Sequence, residues 1–306
     1  MNDPRPIGSQ TLDERSSRRS LSPFSNAHRI ALERLFQRVT GISSLPGIAQ
    51  QVIALAADDS TTVEDLRQAI QTDPALTANV MRRVNSSYFG LASKIADLRS
   101  AISLLGFLEI RNICLRIFVS RIFDEPGSYR TYDREALWRH CEGTAVAARK
   151  IARVTGMVKP DEAYVAGLLH HIGTILVDQY LHRHFCRIVD RVDARTPAHI
   201  VEQDVLSFDH CQLGEFVVRK WNFPDCISDA IRYYAYPSQY VGAHRQLVNV
   251  VTLADFFCSR AGTTSFGVFN VATPEDEVYA SLAVDRVTLQ ILWDEVYSSL
   301  PAVTNA

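Results

Sequence analysis

The chain lacks long apolar runs and paired cysteines, and each absence excludes a class of protein. No stretch of its 306 residues approaches the roughly 20 consecutive apolar residues of a membrane-spanning helix. No apolar stretch near residue 1 is typical of a signal peptide. The six cysteines stand singly, without a Cys-x-x-Cys pair, which excludes a zinc ribbon and a thioredoxin-like motif. We therefore expect a soluble cytoplasmic protein with reduced thiols and no membrane contact.

An excess of charge of either sign is also missing. The chain has 32 Lys and Arg residues against 34 Asp and Glu residues, a net charge of -2. Nucleic acids attract basic proteins, so we expect no nucleic-acid partner. Nucleic-acid binding stays open as an alternative through Arg82-Arg83 and the series Arg111, Arg116 and Arg121. We interpret these arginines as solvated, or as paired with acidic residues.

Apolar residues make up 47% of the chain, and their spacing predicts its organisation. Residues 1–26 are rich in Ser, Arg and Pro, and such a segment cannot bury enough surface to offset its ordering entropy. We predict a disordered tail there, with a phosphorylation or docking tail as the alternative. The remainder, residues 27–300, has helical periodicity almost throughout, so the fold class is all-α. A polar break at residues 124–128 predicts two helical lobes, 27–123 and 129–300.

Local signals and apolar spacing place the individual helices. Asp73-Pro74 predicts a sharp helix start, because aspartate caps free N–H groups and proline fits the first helical position. Gly90 can supply a left-handed turn after that helix. In the second lobe we predict helices over 133–156, 160–183, 197–207, 209–221, 224–235, 244–261 and 284–299. Residues 263–273 are predicted as a loop or a short extended piece.

Three places in the second lobe offer metal-binding side chains: His140, the adjacent pair His170-His171, and Asp255. Imidazoles and carboxylates can hold a divalent ion that generates hydroxide and polarises a phosphoryl oxygen. Neighbouring residues on a helix point about 100° apart, so the pair could act together only at a helix end or kink. Three histidines and one carboxylate favour zinc or a late transition metal over magnesium. The alternative is that each histidine is hydrogen-bonded in the core.

The chain resembles the HDOD domain family, helical regulatory domains of bacterial signalling proteins that are related to the HD superfamily. The resemblance covers residues 45–235. The matching positions are Leu45-Pro46, Ile70, Asp73-Pro74, Ala75-Leu76-Thr77, Val84-Asn85-Ser86, Tyr88, Ile95, Leu98, Ala101-Ile102, Leu105-Gly106, Trp138, His140, Ala166-Gly167-Leu168-Leu169-His170, Ile172-Gly173, Glu202, Asp209-His210, Leu213-Gly214, Trp221, Pro224 and Ala230-Ile231. Together these signatures are specific, although no single one would be.

Two departures from the family pattern bear on chemistry. Members often have His-Asp where this chain has His170-His171, and a His-His pair where it has Tyr234-Ala235. An aspartate can bridge two metals and orient a nucleophilic water, which a histidine cannot do. The resemblance implies a domain that acts through protein contacts. We therefore expect a non-catalytic regulator in signal transduction, without a cofactor, whose partners are signalling proteins or a nucleotide second messenger of cyclic di-GMP pathways.

The alternative function is a metal-dependent nucleotide phosphohydrolase, with His140, His170, His171 and Asp255 as the metal ligands. A separate candidate lies in the first lobe, where Asp73, Pro74, Asn85, Ser86 and Tyr88 form an interaction or structural motif. For this second motif, helix capping and core anchoring are the simpler interpretation.

Overall fold

The computed structural model describes residues 47–299, except residues 59, 88, 269 and 270. The predicted tail over 1–26, the start of the first lobe and Tyr88 lie outside this part of the chain. The described α-helices are α1 Gly47–Ala57, α2 Val63–Gln71, α3 Pro74–Val84, α4 Leu98–Leu105, α5 Phe107–Phe123, α6 Arg134–Thr155, α7 Pro160–Leu169, α8 Ile172–Tyr180, α9 His182–Val189, α10 Ala198–Leu206, α11 His210–Lys220, α12 Asp225–Tyr233, α13 Arg245–Arg260, α14 Asp276–Ser281 and α15 Arg286–Ser299. The fold is all-α, as the sequence predicts.

In the first lobe, α1 to α5, the short helices α2, α3 and α4 each begin at a side-chain cap. Helix α3 begins at Pro74, and the Asp73 Oδ1 accepts a hydrogen bond from the Leu76 N–H at 2.9 Å, which confirms the predicted start. Gly90 has the predicted positive φ of 56°, and Gly106, with a φ of 82°, separates α4 from α5. Helix α5 packs against α1 and α3, and it also contacts α6 and α7 of the second lobe.

A short antiparallel hairpin joins the lobes: β1 Ser128–Tyr129 pairs with β2 Tyr132–Asp133. The sequence analysis did not predict it, because two-residue strands are too short to show alternation. The buried Tyr132 hydroxyl donates to the Asp178 Oδ2 at 3.0 Å, and the Arg134 Nε donates to the same oxygen at 2.5 Å. These contacts fix the hairpin to α8.

The second lobe surrounds α6, which packs against α7, α13 and α15, while α11 packs against α8 and α12. The helix predicted over 160–183 is wrong, because it breaks at His170-His171 into α7 and α8. Helices α9 and α14 were not predicted. The described residues of 263–273 form neither helix nor strand, as expected for a loop.

Candidate functional site

Helix α6, the junction of α7 with α8, and helix α13 bring four predicted side chains to one point. His140, His170, His171 and Asp255 each offer a ligand atom, and these atoms lie within 4.8 Å of one another. The three histidines are buried, whereas Asp255 is 27% exposed. We call this group the histidine cluster. It is the group whose spacing suggested a metal site in the sequence.

The helix break allows adjacent histidines to share the cluster. His170 is the C-terminal cap of α7 and His171 precedes the first residue of α8, so the two rings do not diverge as they would inside one helix. Gly173 holds α8 against α11, because a Cβ at this position would lie 2.0 Å from the His210 carbonyl oxygen. The junction therefore depends on a close contact that only glycine permits.

Backbone carbonyls fix which ring nitrogens carry hydrogen. The His140 Nδ1 lies 2.6 Å from the Thr263 carbonyl oxygen, and the His170 Nδ1 lies 2.6 Å from that of Gly167. A carbonyl oxygen can only accept, so both Nδ1 atoms are donors. Both Nε2 atoms then direct lone pairs into the cluster unless one of them is also protonated.

Three acceptors converge as a result. The Nε2 atoms of His140 and His170 are 3.3 Å apart. The Asp255 Oδ1 lies 2.8 Å from the His140 Nε2 and 3.6 Å from the His170 Nε2. Lone pairs at these separations repel unless a proton or a cation lies between them. The cluster thus requires either a shared proton or a bound metal ion between these atoms.

The protonation preferences of the other members follow from burial and from their neighbours. Burial lowers the pKa of His170, and burial together with the surrounding histidines lowers the pKa of His171 well below its usual value. Burial alone would raise the pKa of Asp255, but hydrogen bonds with His140 and His170 hold it well below its usual range. The cluster therefore presents neutral His170 and His171 and an ionised carboxylate at pH 7.

A second buried group lies directly beside His171. The Glu202 Oε2 accepts a hydrogen bond from the His210 Nδ1 at 2.5 Å, and the His210 Nε2 lies 2.6 Å from the Tyr234 hydroxyl. Tyr234 in turn lies 3.4 Å from the His171 Nδ1, which is 2.9 Å from the Thr174 Oγ1. Burial alone would lower the pKa of His210, but Cys211 and the Glu202 carboxylate beside it raise it well above its usual value.

The sequence analysis assigned no role to Glu202, His210 or Tyr234. Glu202 and His210 were matched only as family positions, and Tyr234 only as a departure from the pattern. The available signal was polarity on apolar helix faces, because Glu202 and His210 occupy buried positions in α10 and α11. Their pairing across two helices could not be inferred from spacing.

A cavity of about 370 Å³ reaches the histidine cluster at His171 and Asp255. Aromatic rings contribute much of its wall, including Tyr236, Phe256 and Phe266. Its acidic lining residues are Asp193, Asp255 and Glu275, and the described lining has no Lys or Arg. His210, whose pKa is raised, also lines the cavity and is paired with Glu202. A phosphate group would therefore meet no Lys or Arg side chain on the described walls.

The candidate motif of the first lobe makes local structural contacts. The Asn85 side chain pairs with the backbone of Ile95, since its Nδ2 donates to the carbonyl at 2.8 Å and its Oδ1 accepts from the N–H at 2.8 Å. The Ser86 hydroxyl donates to the Arg83 carbonyl at 2.7 Å. Asp73 caps α3, with Pro74 as its first residue. None of these four residues belongs to the histidine cluster or lines its cavity.

The chemistry of the histidine cluster fits one metal ion. Three imidazoles and one carboxylate are a donor set that zinc and late transition metals prefer. The carbonyl partners of His140 and His170 orient their rings in the way that outer hydrogen bonds orient metal ligands. His140, His170, His171 and Asp255 would hold the ion, and a bound ion of this kind can polarise water or a phosphoryl oxygen.

A match to a family model identifies the family of this chain. The HDOD domain model matches residues 42–237, about two thirds of the chain. The chain belongs to the HDOD family. An uncharacterised protein of Treponema pallidum (strain Nichols) is 20% identical over 220 residues, which are 71% of this chain and 42% of that protein. This HDOD chain thus spans less than half the length of that relative.

Solved structures share the fold of this HDOD chain. An HDOD domain protein of Geobacter sulfurreducens has a TM-score of 0.68 at 22% identity, over 89% of this chain and 90% of that one. A candidate signal transduction protein of Marinobacter aquaeolei VT8 has a TM-score of 0.72 at 24% identity, over 88% and 62%. A candidate phosphohydrolase of Shewanella amazonensis SB2B has a TM-score of 0.65 at 20% identity, over 86% and 93%. At these identities the likeness establishes the two-lobed helical fold.

Hydropathy adds one finding about the helices. In the described part of the chain, none is both long enough and apolar enough to cross a membrane.

Proposed function

We propose that this HDOD chain is a non-catalytic regulator in bacterial signal transduction, which acts by contact with signalling proteins. The observation that carries the proposal is the donor set of the histidine cluster. Asp255 is its single carboxylate, and His171 supplies the fourth donor. Structural metal sites are closed by four protein donors, whereas catalytic sites keep a position open for water or substrate. A cluster filled by these four side chains is suited to holding a fold together.

The cavity supports the same proposal. A nucleotide carries phosphate charges, which proteins usually bind with Arg, Lys or helix N-termini. The carboxylates of Asp193, Asp255 and Glu275 disfavour such a ligand, the described lining has no Lys or Arg, and His210 is already paired with Glu202. The family and the signal transduction relative of M. aquaeolei add support for a regulatory role.

A second function, a phosphohydrolase that uses one metal ion, is favoured by one specific observation. The acceptors of His140, His170 and Asp255 converge at distances of 2.8 to 3.6 Å, and a metal ion would satisfy them all. The candidate phosphohydrolase of S. amazonensis, which shares the fold, makes this the natural competing function.

Metal content and hydrolysis separate the two functions. Protein purified without a metal-affinity tag would be analysed by inductively coupled plasma mass spectrometry and assayed on bis(p-nitrophenyl) phosphate with Mg²⁺, Mn²⁺ or Zn²⁺. Asp255→Ala and His170→Ala would be compared with His184→Ala, which alters an exposed histidine outside the cluster. We expect the wild type to hydrolyse the substrate no faster than Asp255→Ala does, whether or not the wild type holds metal.

Hydrolysis that requires metal and disappears in both cluster variants, but not in His184→Ala, would replace the regulatory proposal with the enzymatic one. A genetic test is independent of substrate choice. If the protein is a non-catalytic regulator, a folded Asp255→Asn variant should complement a deletion strain of the source bacterium as well as the wild type does. Failure of that variant, at normal abundance and with a normal circular dichroism spectrum, would contradict the non-catalytic role.

A further inference from the structure

A larger cavity lies between the two lobes, away from the histidine cluster. Its volume is about 890 Å³, and its walls come from α1, α5, α7, α12 and the loop after α11. None of its lining residues also lines the cavity at the cluster. Sites for small organic ligands typically have volumes of about 300 to 1,000 Å³ and mostly apolar walls. The size of this cavity is therefore that of a ligand site.

Most of the wall is apolar and comes from both lobes. Helices α1 and α5 contribute Ile53, Leu108 and Leu115, while α7 and α12 contribute Val165 and Ile227. Leu108 is 44% exposed, which is high for a large apolar side chain. The rings of Trp221 and Phe223 complete this surface. An apolar body placed here would remove area from water on both lobes and would be stabilised by the hydrophobic effect.

One cation in the wall, Arg111, has no ionic partner among the described residues. The Arg111 guanidinium is partly buried, and its hydrogen bonds go to the Asn112 Oδ1, at 3.0 and 3.3 Å. No carboxylate in the described part of the chain lies within 4.0 Å of it. Burial lowers the pKa of Arg111, which reflects the cost of desolvating its charge. A desolvated cation of this kind is stabilised when an anion is brought to it.

The acidic residues of the same wall are already paired. The Asp161 Oδ1 accepts from the Asn112 Nδ2 at 2.9 Å and from Arg149 at 3.2 Å, and Glu162 pairs with Lys159 at 3.0 Å. Lys220, at the rim, has a ring contact with Phe216. Among the described residues it forms no ion pair. Arg111 and Lys220 can therefore donate hydrogen bonds to a ligand beside the apolar surface of the wall.

We propose that this cavity binds a small amphipathic organic anion, with its carboxylate or phosphate head at Arg111 and Lys220 and its apolar body along the shared wall. Such a ligand contacts α1 and α5 on one side and α7 and α12 on the other. It would be an input to the protein that is separate from the histidine cluster. This site does not depend on whether the cluster is catalytic.

Dodecanoate is a suitable probe, titrated into the full chain by calorimetry below its micelle concentration. We expect 1:1 binding, at least tenfold tighter than that of dodecyltrimethylammonium, which has the same tail and the opposite charge. Acetate, which has the head alone, should not bind measurably. A change in tryptophan fluorescence should accompany dodecanoate binding and be reduced in Trp221→Phe. Absence of 1:1 binding, or equal binding of the two amphiphiles, would overturn the proposal.

Matched variants locate the site. Arg111→Gln should weaken dodecanoate binding at least tenfold, because a charge-assisted hydrogen bond is lost. Arg183→Gln removes the same charge from an exposed position outside this cavity and should leave binding unchanged. Ala54→Trp, at an exposed position of α1, should block the cavity without disturbing the core. Equal binding by Arg111→Gln and Arg183→Gln, or normal binding by Ala54→Trp, would refute the assignment.

Discussion

The two lobes differ in what their cores contain. Over residues 47–123, the described first lobe buries Asn112 as its polar side chain and no histidine or charged residue. The second lobe buries both kinds, namely His140, Arg149, His170, His171, Asp178, Glu202, Asp209, His210, Glu215 and Arg232. The core of the described first lobe is thus formed almost entirely by apolar side chains. The buried charges of the second lobe therefore need another explanation.

Buried ionisable groups are costly unless they are paired, and replacing them with apolar residues is often neutral or stabilising. Their concentration around His140, His171 and His210 marks a candidate binding site, whether or not a bound ion there also stabilises the fold. The comparison thus predicts that changes of side-chain volume alter the stability of both lobes, and that pH alters the stability of the second lobe only.

The largest effect is expected where the second lobe is most closely packed. Gly173→Ala places a Cβ 2.0 Å from the His210 carbonyl oxygen and should lower the free energy of unfolding by about 4 kcal/mol. Gly47→Ala is the control, because its Cβ would meet no atom within 4 Å. Urea denaturation monitored by circular dichroism measures both. A loss below about 1 kcal/mol for Gly173→Ala would show that α8 and α11 can separate.

The next largest effect is expected from a substitution that creates a cavity in the core of the first lobe. Leu76→Ala removes a fully buried side chain and should cost about 3 kcal/mol. Because the described first lobe buries no histidine or charged residue, this cost should be the same at pH 7.5 and pH 5.0. Denaturation at the two pH values tests this. A cost that changes clearly with pH would remove the distinction between the lobes.

The pH response itself is expected to come from the second lobe. The pKa values of His170 and His171 are lowered in the folded state, so below about pH 6.5 the unfolded chain binds protons that the folded chain does not. Stability should therefore fall as the pH is lowered from 7.5 to 5.0. The raised pKa of His210 acts in the opposite direction, since its contribution is present at low pH and is lost as the pH rises.

His171→Asn removes one of the groups with a lowered pKa and should make the decline in stability between pH 7.5 and 5.0 smaller. His184→Asn, at an exposed position outside the cluster, should leave it unchanged. Chemical denaturation at several pH values gives the comparison. The same slope in both variants would mean that His171 does not control the acid response.

The smallest effect concerns the candidate motif of the first lobe. Asp73→Ala removes the cap of α3 and should cost about 1 kcal/mol, whereas Asp73→Asn, which can still cap, should restore most of that stability. Thermal denaturation of the two variants and the wild type measures both changes in stability. If both variants are as stable as the wild type, Asp73 is not a structural cap, and an interaction role becomes the better interpretation.

The sequence predicted what depends on neighbouring residues. The start of α3 could be predicted because Asp73 and Pro74 act within one helical turn. The convergence of His140, His170, His171 and Asp255 was also expected, although what the cluster binds stays a prediction. The break between α7 and α8 was missed because apolar spacing continues through it. Partners such as Glu202 and Tyr234 were missed because the tertiary fold, and no local pattern, brings them to His171 and His210.

The hairpin between the lobes has a mechanical consequence. A polar, Gly- and Pro-containing stretch such as residues 124–128 is usually thought of as a flexible joint. Here the hairpin that follows is fixed to Asp178 of α8 by the Tyr132 hydroxyl of β2, and Arg134, the first residue of α6, binds the same carboxylate. Helix α8 begins immediately after His171. The segment that connects the lobes is thus anchored to the helix that directly follows the histidine pair.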